Sequence, residues 1–459
     1  MRKKYISLSL AVSLANVFNG QCLKTVSTQF ESVAAINSDG NIWVWGSNHY
    51  GELGTGDYVN RATPFQLTTS GDWKSVSHTY MSTLALKNDG TRWGWGDAQL
   101  GNGSTFPVLS PVQIGTDHWK VLYTGLFTSY GVKVDGTLWV WGTGIEGQFG
   151  NGTMPVDPSL IPVQVGPDTD WKFLAVSSHH TLGLKNNGTL WSWGNNVVGQ
   201  LGIGSSVSNF STPQQVGTES NWKTVSAKGF HSLALKSDGS LWGWGMNEHG
   251  ELGDGTAVQR NSPVQIGNSY DWKSITTTAR YRSFAIKNDG SLWGWGQNEN
   301  GELGDGTTIQ RNSPVQIGNS YDWKSIDCGA LHCVAIKQDN SVWSWGGNFS
   351  GELGNGTITG TYTQAPTMIL GSCSFLGTAE NESFSTRKVK IYPNPVSENI
   401  YFSKEIKSIK IYSGAGALVK YFSDLNSNSI DISVLQPGTY MIDAFTVDGN
   451  NLQEKIIKK

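Results

Sequence analysis

The tetrapeptide Trp-x-Trp-Gly recurs seven times along the chain, with its first tryptophan at Trp43, Trp93, Trp139, Trp191, Trp242, Trp293 and Trp343. A unit of about 50 residues lies in the range of propeller blades. So short a unit cannot bury both its faces alone and must stack on copies of itself. Ahead of each tetrapeptide sits a turn dipeptide: Asp39-Gly40, Asp89-Gly90, Asp135-Gly136, Asn187-Gly188, Asp238-Gly239, Asp289-Gly290 and Asp339-Asn340. These residue pairs tolerate positive φ and favour the tight turns that match strand twist, so each marks a hairpin. A Trp-Lys strand starter precedes it at Trp73, Trp119, Trp171, Trp222, Trp272 and Trp323. Two tryptophans per tetrapeptide and these six account for all 20 in the chain, so none is left for a separate binding cage. Burying one removes roughly 150–250 Å² from water, an upper bound of about 4–6 kcal/mol.

Each repeat continues through Gly-Glu-Leu-Gly-x-Gly or a variant to a segment headed by Pro64, Pro111, Pro162, Pro213, Pro263, Pro314 or Pro366. Proline suits an edge strand, where no ladder donor is needed. The expected blade opens with this proline strand, followed by Trp-Lys-x-Val, the Leu-Ala-Leu-Lys type strand and Leu-Trp-x-Trp-Gly. On that phasing the first blade lacks its opening strand, and the C-terminal strand from Pro366 completes it. The expected fold class is all-β: a seven-bladed β-propeller followed by a small C-terminal β-sandwich.

Charged residues make up 15% of the 459, with a formal net charge of -3. That leaves no basic field for nucleic acid, which is not expected as a partner. Met1-Arg2-Lys3-Lys4 and the apolar residues 5–18 read as the charged and hydrophobic regions of a secretory signal. The stretch is too short to span a bilayer, and no other segment is long and apolar enough to do so. Expected boundaries are a signal over 1–21, the propeller over 22–372, a linker over 373–386 and a C-terminal domain over 387–459.

Catalytic candidates dissolve into the repeat. Glu52, Glu251, Glu302 and Glu352 hold equivalent positions in Gly-Glu-Leu-Gly. Spread around a ring, they cannot face one another as an acid/base pair, and a turn role is favoured. Asp254 and Asp305 lack the alternating oxygen ligands of a calcium loop. His180, His231 and His332 also match one another in position and read as structural hydrogen-bonders rather than zinc ligands. No catalytic residue, metal or cofactor is expected. The four cysteines suit an exported protein. Cys22 and Cys373 bracket the ring and are expected to pair as a clasp, while Cys328 and Cys333 read equally as a disulfide or as two thiols.

One column varies while its neighbours hold: Glu31, Met81, Phe127, His179, Phe230, Tyr281 and Leu331. These residues fall on connecting loops expected on one face. Large apolar side chains there fit a binding ring as well as blade-end caps. Lys228, Arg280 and Arg282 are expected to flank it.

Trp-x-Trp-Gly followed by Asn-x-x-Gly-Glu-Leu-Gly-Asp-Gly-Thr, as over residues 245–256 and 296–307, resembles the repeat of the regulator of chromosome condensation family. The resemblance covers residues 23–370 and implies the seven-bladed propeller. The nucleotide-exchange activity of the family's nuclear founder is not expected beside an export signal. A secreted propeller presenting loops to a protein is the nearer analogue. Residues 389–395 (Val-Lys-Ile-Tyr-Pro-Asn-Pro), 409–416, 435–440 and the final Lys-Ile-Ile-Lys-Lys resemble the type A sorting domain of the type IX secretion system. That likeness implies passage across the outer membrane of a Bacteroidetes-type bacterium to the cell surface or beyond. The expected protein is a monomeric, non-enzymatic binding propeller for a protein or glycan. Alternatives are a secreted inhibitor of a foreign enzyme and, less favoured, a polysaccharide-active enzyme.

Overall fold

The computed structural model describes residues 22–97, 100–371, 391–392, 396–413, 418–423, 425, 427–447 and 451–459. The expected signal segment and linker lie outside them. The chain divides into two compact units, residues 1–375 and 376–459.

The first unit is a ring of seven four-stranded antiparallel blades. In the first blade, strands Leu23–Gln29, Ser32–Asn37, Ile42–Gly46 and Arg61–Gln66 pair in chain order. The first strand of each blade is innermost, since these strands contact one another around the axis. Each second strand is buried along nearly its whole length between neighbouring blades, whereas the fourth is the partly exposed outer edge. A single 17-residue strand, Val108–Thr124, serves as the outer strand of the second blade and the inner strand of the third.

The expected phasing is corrected here. The proline segment closes the blade of its own repeat: Arg61–Gln66 pairs with Ile42–Gly46, and Tyr362–Leu370 pairs with Val342–Gly347. Among the described residues no strand is shared between the two ends of the ring. The glycine-rich loop returns the chain directly beside the strand it has just left, the short connection that antiparallel pairing favours. The circle closes by contact of Leu23–Gln29 with Trp323–Cys328, where the Thr28 amide donates to Asp327 Oδ2 (2.9 Å) and the Ala330 amide to the Phe30 carbonyl (2.9 Å).

One contact recurs at every blade interface. The second tryptophan of Trp-x-Trp-Gly, nine-tenths or more buried, lies flat against a glycine of the preceding blade's Gly-Glu-Leu-Gly type loop. A Cβ on Gly54 would come within 2.6 Å of Trp95, and one on Gly202 within 2.6 Å of Trp244. The same clash would meet Trp141, Trp193, Trp295 and Trp345, and Gly354 against Trp45 repeats it across the closure. Five of these indoles donate Nε1–H to the carbonyl one residue before the loop's leucine or phenylalanine. Trp95 donates to Glu52, Trp193 to Gln148, Trp244 to Gln200, Trp295 to Glu251 and Trp45 to Glu352, all at 2.9–3.0 Å. Within a blade, the Trp-Lys tryptophan meets the Trp-x-Trp pair edge-on, as Trp73 does Trp93 and Trp95. The second-strand lysine, here Lys87, lies 5.0 and 4.4 Å from the Trp73 and Trp93 ring centres.

The glutamates of Gly-Glu-Leu-Gly hold their own loops, as their repetition implies. Each carboxylate accepts the amide two residues earlier, with Tyr50 to Glu52 at 2.7 Å and His249 to Glu251 at 2.8 Å. The matching histidines are interior relays. Ser232 Oγ gives its proton to the Gln200 carbonyl (2.8 Å) and so accepts from His180 Nε2 (2.8 Å). Ser283 does the same between Glu251 and His231. This fixes both imidazoles as neutral Nε2–H tautomers. For His332 the next blade offers Val33 in place of the serine, and the relay stops there.

The C-terminal unit is built on one long strand, Asn399–Ser413, whose ladder shifts register at Ile406. Its first half pairs with Ile391–Tyr392 and Ser427–Asp431. The second half pairs with Leu418–Phe422 and Gly438–Thr446, and the latter with Asn451–Lys458. Ile400, Phe402, Ile409, Ile411, Ile442 and Ile456 from both halves share one core.

Burial holds His78 down to about 4 and His180, His231 and His332 down to about 3, against an ordinary 6.5. Below pH 6.5 the unfolded chain therefore binds more protons at these sites than the folded one, and stability falls as pH drops. Each histidine contributes about 1.4 kcal/mol per pH unit until its own folded value is reached. Urea midpoints should fall steadily from pH 6.5 to 4.5. His180→Gln with His231→Gln should remove about half of that slope; an unchanged slope would place the acid sensitivity elsewhere.

Candidate functional site

At the end of the ring where each first strand turns into the second, the column singled out from the sequence comes together on one face. Met81, Phe127, His179, Phe230, Tyr281 and Leu331 are all half-buried, with Arg280 exposed beside them. Phe127 belongs to an aromatic run that continues through the preceding column. Phe30 meets Tyr80 edge-on at 4.5 Å between ring centres, Tyr80 meets Phe127 at 6.1 Å, and Tyr50 leans on Tyr80 at 5.4 Å. The Tyr50 and Tyr80 hydroxyls lie 3.5 Å apart, and that hydrogen bond, with partial burial, pushes the Tyr80 phenol up to about 12. Tyr80 is held in place by its amide, which donates to the Leu126 carbonyl of the next blade at 3.2 Å.

Further round the face, the His179 ring stacks on Phe230 at 4.3 Å and His249 stacks on Tyr281 at 4.6 Å. His179 Nδ1 lies 2.8 Å from Glu146 Oε2, and Asn195 Nδ2 donates to the other oxygen at 2.9 Å. Burial raises the Glu146 carboxyl, but the hydrogen bonds and the imidazole outweigh it and leave it below the usual value. Phe30 (φ 48°) and Tyr281 (φ 31°) are non-glycine residues in the left-handed region. An aromatic side chain held there costs on the order of 1–3 kcal/mol and persists only where its surroundings over-determine it.

Two of the three expected flanking cations are turned inward. Arg282 is 1% exposed. Its guanidinium donates to the Ala330 carbonyl and lies 3.5 Å from Glu302, because it occupies the interior position that His180, His231 and His332 fill in other blades. Lys228 reaches from the fifth blade to the seventh and first. Its ammonium binds Asp327 Oδ1 (2.5 Å), the Cys328 carbonyl (2.9 Å) and the Thr28 carbonyl (3.1 Å). The fifth blade neighbours neither of these, so the side chain reaches over this end of the axial channel and sets a charge beneath the aromatic face. Cys328 and Cys333, left open by the sequence, are disulfide-bonded beside that charge, with Cα atoms 4.1 Å apart and in register across the hairpin. Cys22 is disulfide-bonded; its expected partner Cys373 lies outside the described residues.

Phe30, Tyr50, Tyr80, Glu146 and His249 escaped sequence reasoning. The column one residue earlier carries Phe30 and Tyr80 where other repeats have Leu126, Ser178, Gly229, Arg280 and Ala330, and its unevenness was a usable signal. The others sit in the glycine-rich loop, where the repeat conceals them. The face holds aromatic surface, amide and imidazole donors and a carboxylate. Among the described residues, no group of three or more His, Cys, Asp or Glu could hold a metal ion. Asp254 and Asp305 are instead bound by Arg260 (2.7 Å) and Arg311 (2.9 Å).

Comparison with known proteins agrees with this architecture. Residues 10–279 match the family described as RCC1-like domain, and 289–336 and 323–352 match the Regulator of chromosome condensation (RCC1) repeat. Residues 390–459 match the Secretion system C-terminal sorting domain. The Ultraviolet-B receptor UVR8 of Arabidopsis thaliana is 30% identical over 312 residues, 67% of this chain and 49% of that protein. The probable E3 ubiquitin-protein ligase HERC6 of Homo sapiens is 32% identical over 41% of this chain and 19% of its own length. The chain thus spans about half or less of these relatives. Human WBSCR16 superposes with a TM-score of 0.65 at 22% identity, covering 72% of this chain and 95% of that one. Prp20p of Saccharomyces cerevisiae superposes at 0.62 and 22% identity, covering 68% and 82%. The sorting tail marks the protein for type IX secretion to the cell surface or external space. A ring of seven blades, the tryptophan-to-glycine contact at each interface and the matched repeats together make this chain a member of the RCC1-like propeller family, secreted by way of a C-terminal sorting domain.

Proposed function

We propose that the secreted ring is a non-enzymatic binding module that engages a protein partner through the face carrying Phe30, Tyr50, Tyr80, Phe127, His179, Phe230 and Tyr281. The observation that carries this reading is the continuous contact of Phe30, Tyr80 and Phe127 across three successive blades, with two aromatic residues held at positive φ on the same face. Half-buried aromatic rings lose little side-chain freedom on docking and are the residue type that dominates binding energy at protein interfaces. Arg280 supplies an exposed cation at the rim. Names of relatives such as Prp20p, described by its binding to Gsp1p and histones, are consistent with a propeller that works by protein contact.

Affinity capture from the organism's surroundings with the purified chain should recover a stoichiometric protein partner. Tyr80→Ala, Phe127→Ala and Phe230→Ala should each weaken its binding by about tenfold or more, corresponding to about 1.4 kcal/mol or more. Full retention by the triple variant with unchanged thermal stability would defeat the proposal, and binding to a glycan array in place of protein would transfer the face to a carbohydrate. The Cys22–Cys373 clasp is likewise proposed. Mass analysis of unreduced peptides should yield the linked pair, and lipid or a free thiol on Cys22 would overturn it.

A further inference from the structure

The opposite mouth of the axial channel carries a second, regular feature. In all seven blades the ladder between first and second strands skips one residue near its start. The skipped residue is a lysine every time: Lys24, Lys74, Lys120, Lys172, Lys223, Lys273 and Lys324. A bulged residue leaves the ladder and its side chain is re-aimed. All seven lysines are exposed on the innermost strands at this end of the ring, where Lys324 turns along its own blade and donates from Nζ to Asn340 Oδ1 at 2.9 Å. Lys74 shows their reach, donating from Nζ to the Lys120 carbonyl of the next inner strand at 2.9 Å.

Among the described residues none of the seven makes an ion pair. The carboxylates nearest in sequence are already taken. Asp72, Asp117, Asp170, Glu219, Asp271 and Asp322 bind the second-strand lysines Lys87, Lys133, Lys185, Lys236, Lys287 and Lys337 at 2.8–3.3 Å. The hairpin aspartates, such as Asp89 and Asp289, are engaged by the amide and hydroxyl of their own turns. Adjacent inner strands contact one another all round the axis. An anionic group arriving over one blade therefore meets the charges of neighbouring blades, and a chain of such groups can engage several in turn.

We propose that this lysine crown is a binding site for an anionic polysaccharide. Lysine presents a rotatable point charge in place of a fixed fork, which suits sulfate or carboxylate groups arriving at variable angles. Between Lys24 and Lys74 lies a cavity of about 280 Å³ lined also by Thr25, Asp39, Trp73 and Asn88. The Asp39 carboxylate and the Asn88 amide beside the two ammonium groups can accept sugar hydroxyls, which a polyphosphate chain lacks. Exposed Tyr270 and Tyr321, just ahead of the Trp-Lys starters of the sixth and seventh blades, add aromatic surface on the same side. The site lies at the other end of the ring from the aromatic face and does not rest on the function proposed above.

Binding of the full chain to immobilised dextran sulfate and to polygalacturonate, with neutral dextran, inorganic polyphosphate and single-stranded DNA alongside, tests this. The expected result is binding to one or both acidic glycans at 0.15 M salt, weakening steeply as salt rises, and none to neutral dextran. Lys24→Gln with Lys74→Gln should cost about tenfold or more, and replacing all seven by glutamine should abolish binding and its salt dependence. Lys420→Gln on the C-terminal unit should change nothing, and circular dichroism melting should report an intact ring for each variant. Binding no stronger than to neutral dextran, full retention by the sevenfold variant, or equal affinity for polyphosphate or DNA would each overturn the proposal.

Discussion

The ring depends on the contact between an indole and a glycine with no room for a β-carbon. At each of the seven interfaces a tryptophan of one blade lies against a positive-φ glycine of the blade before, as Trp95 does against Gly54. The indole covers the backbone of the loop, and in five cases its N–H satisfies a carbonyl that burial would otherwise strand. Glycine is required twice over, for the left-handed turn and for the approach. Because the contact runs from each blade to the next with fixed polarity, blades add in one rotational sense. The seventh meets the first through the same pair, Gly354 and Trp45. Closure therefore needs no strand borrowed from the other end of the chain.

The same frame sorts polar groups by depth. Glu52, Glu251 and Glu352 are buried carboxyls raised by desolvation, yet each accepts an amide of its own loop, and Glu52 takes the Ser47 hydroxyl as well. His180 and His231 pass one hydrogen bond each from blade to blade. Where the relay partner is missing, the chain makes other arrangements. Arg282 replaces histidine and turns to Glu302 and the Ala330 carbonyl. Cys333, in the column that holds Ser232 and Ser283, is tied to Cys328. Perturbed groups here mark the requirements of a sealed interface, and the like positions stay on different blades.

Most of the architecture was legible because the repeat states it seven times. Strand identity, hairpin positions, the structural use of all the tryptophans and the loop-holding role of the glutamates follow from spacing alone. The phase was not legible, since a periodic sequence reads identically wherever the unit is cut. Only pairing partners tell whether Pro64 closes one blade or opens the next. Arg282 misled for a related reason: an isolated cation in a variable stretch reads as surface, while its column places it inside. Tyr80 and Phe30 were missed by a single column, because a tight turn brings two successive residues onto one face where strand alternation would separate them.

The two ends of the ring follow opposite rules from one scaffold. At the turn end, equivalent positions hold Glu31, Met81, Phe127, His179, Phe230, Tyr281 and Leu331, so the chemistry changes from each blade to the next. Such a surface has one orientation in which it fits, which is what a single folded protein presents in return. At the bulge end the same residue stands in every blade, so a ligand rotated by one blade meets the same charges. A polymer with repeating anionic groups can exploit that degeneracy, gaining from many equivalent arrangements where a unique epitope would gain from only one. Lys228, which binds Asp327 two blades away, stands at the aromatic end and belongs to neither column. The two proposed sites thus share no residue, and each can be altered by substitution without touching the other.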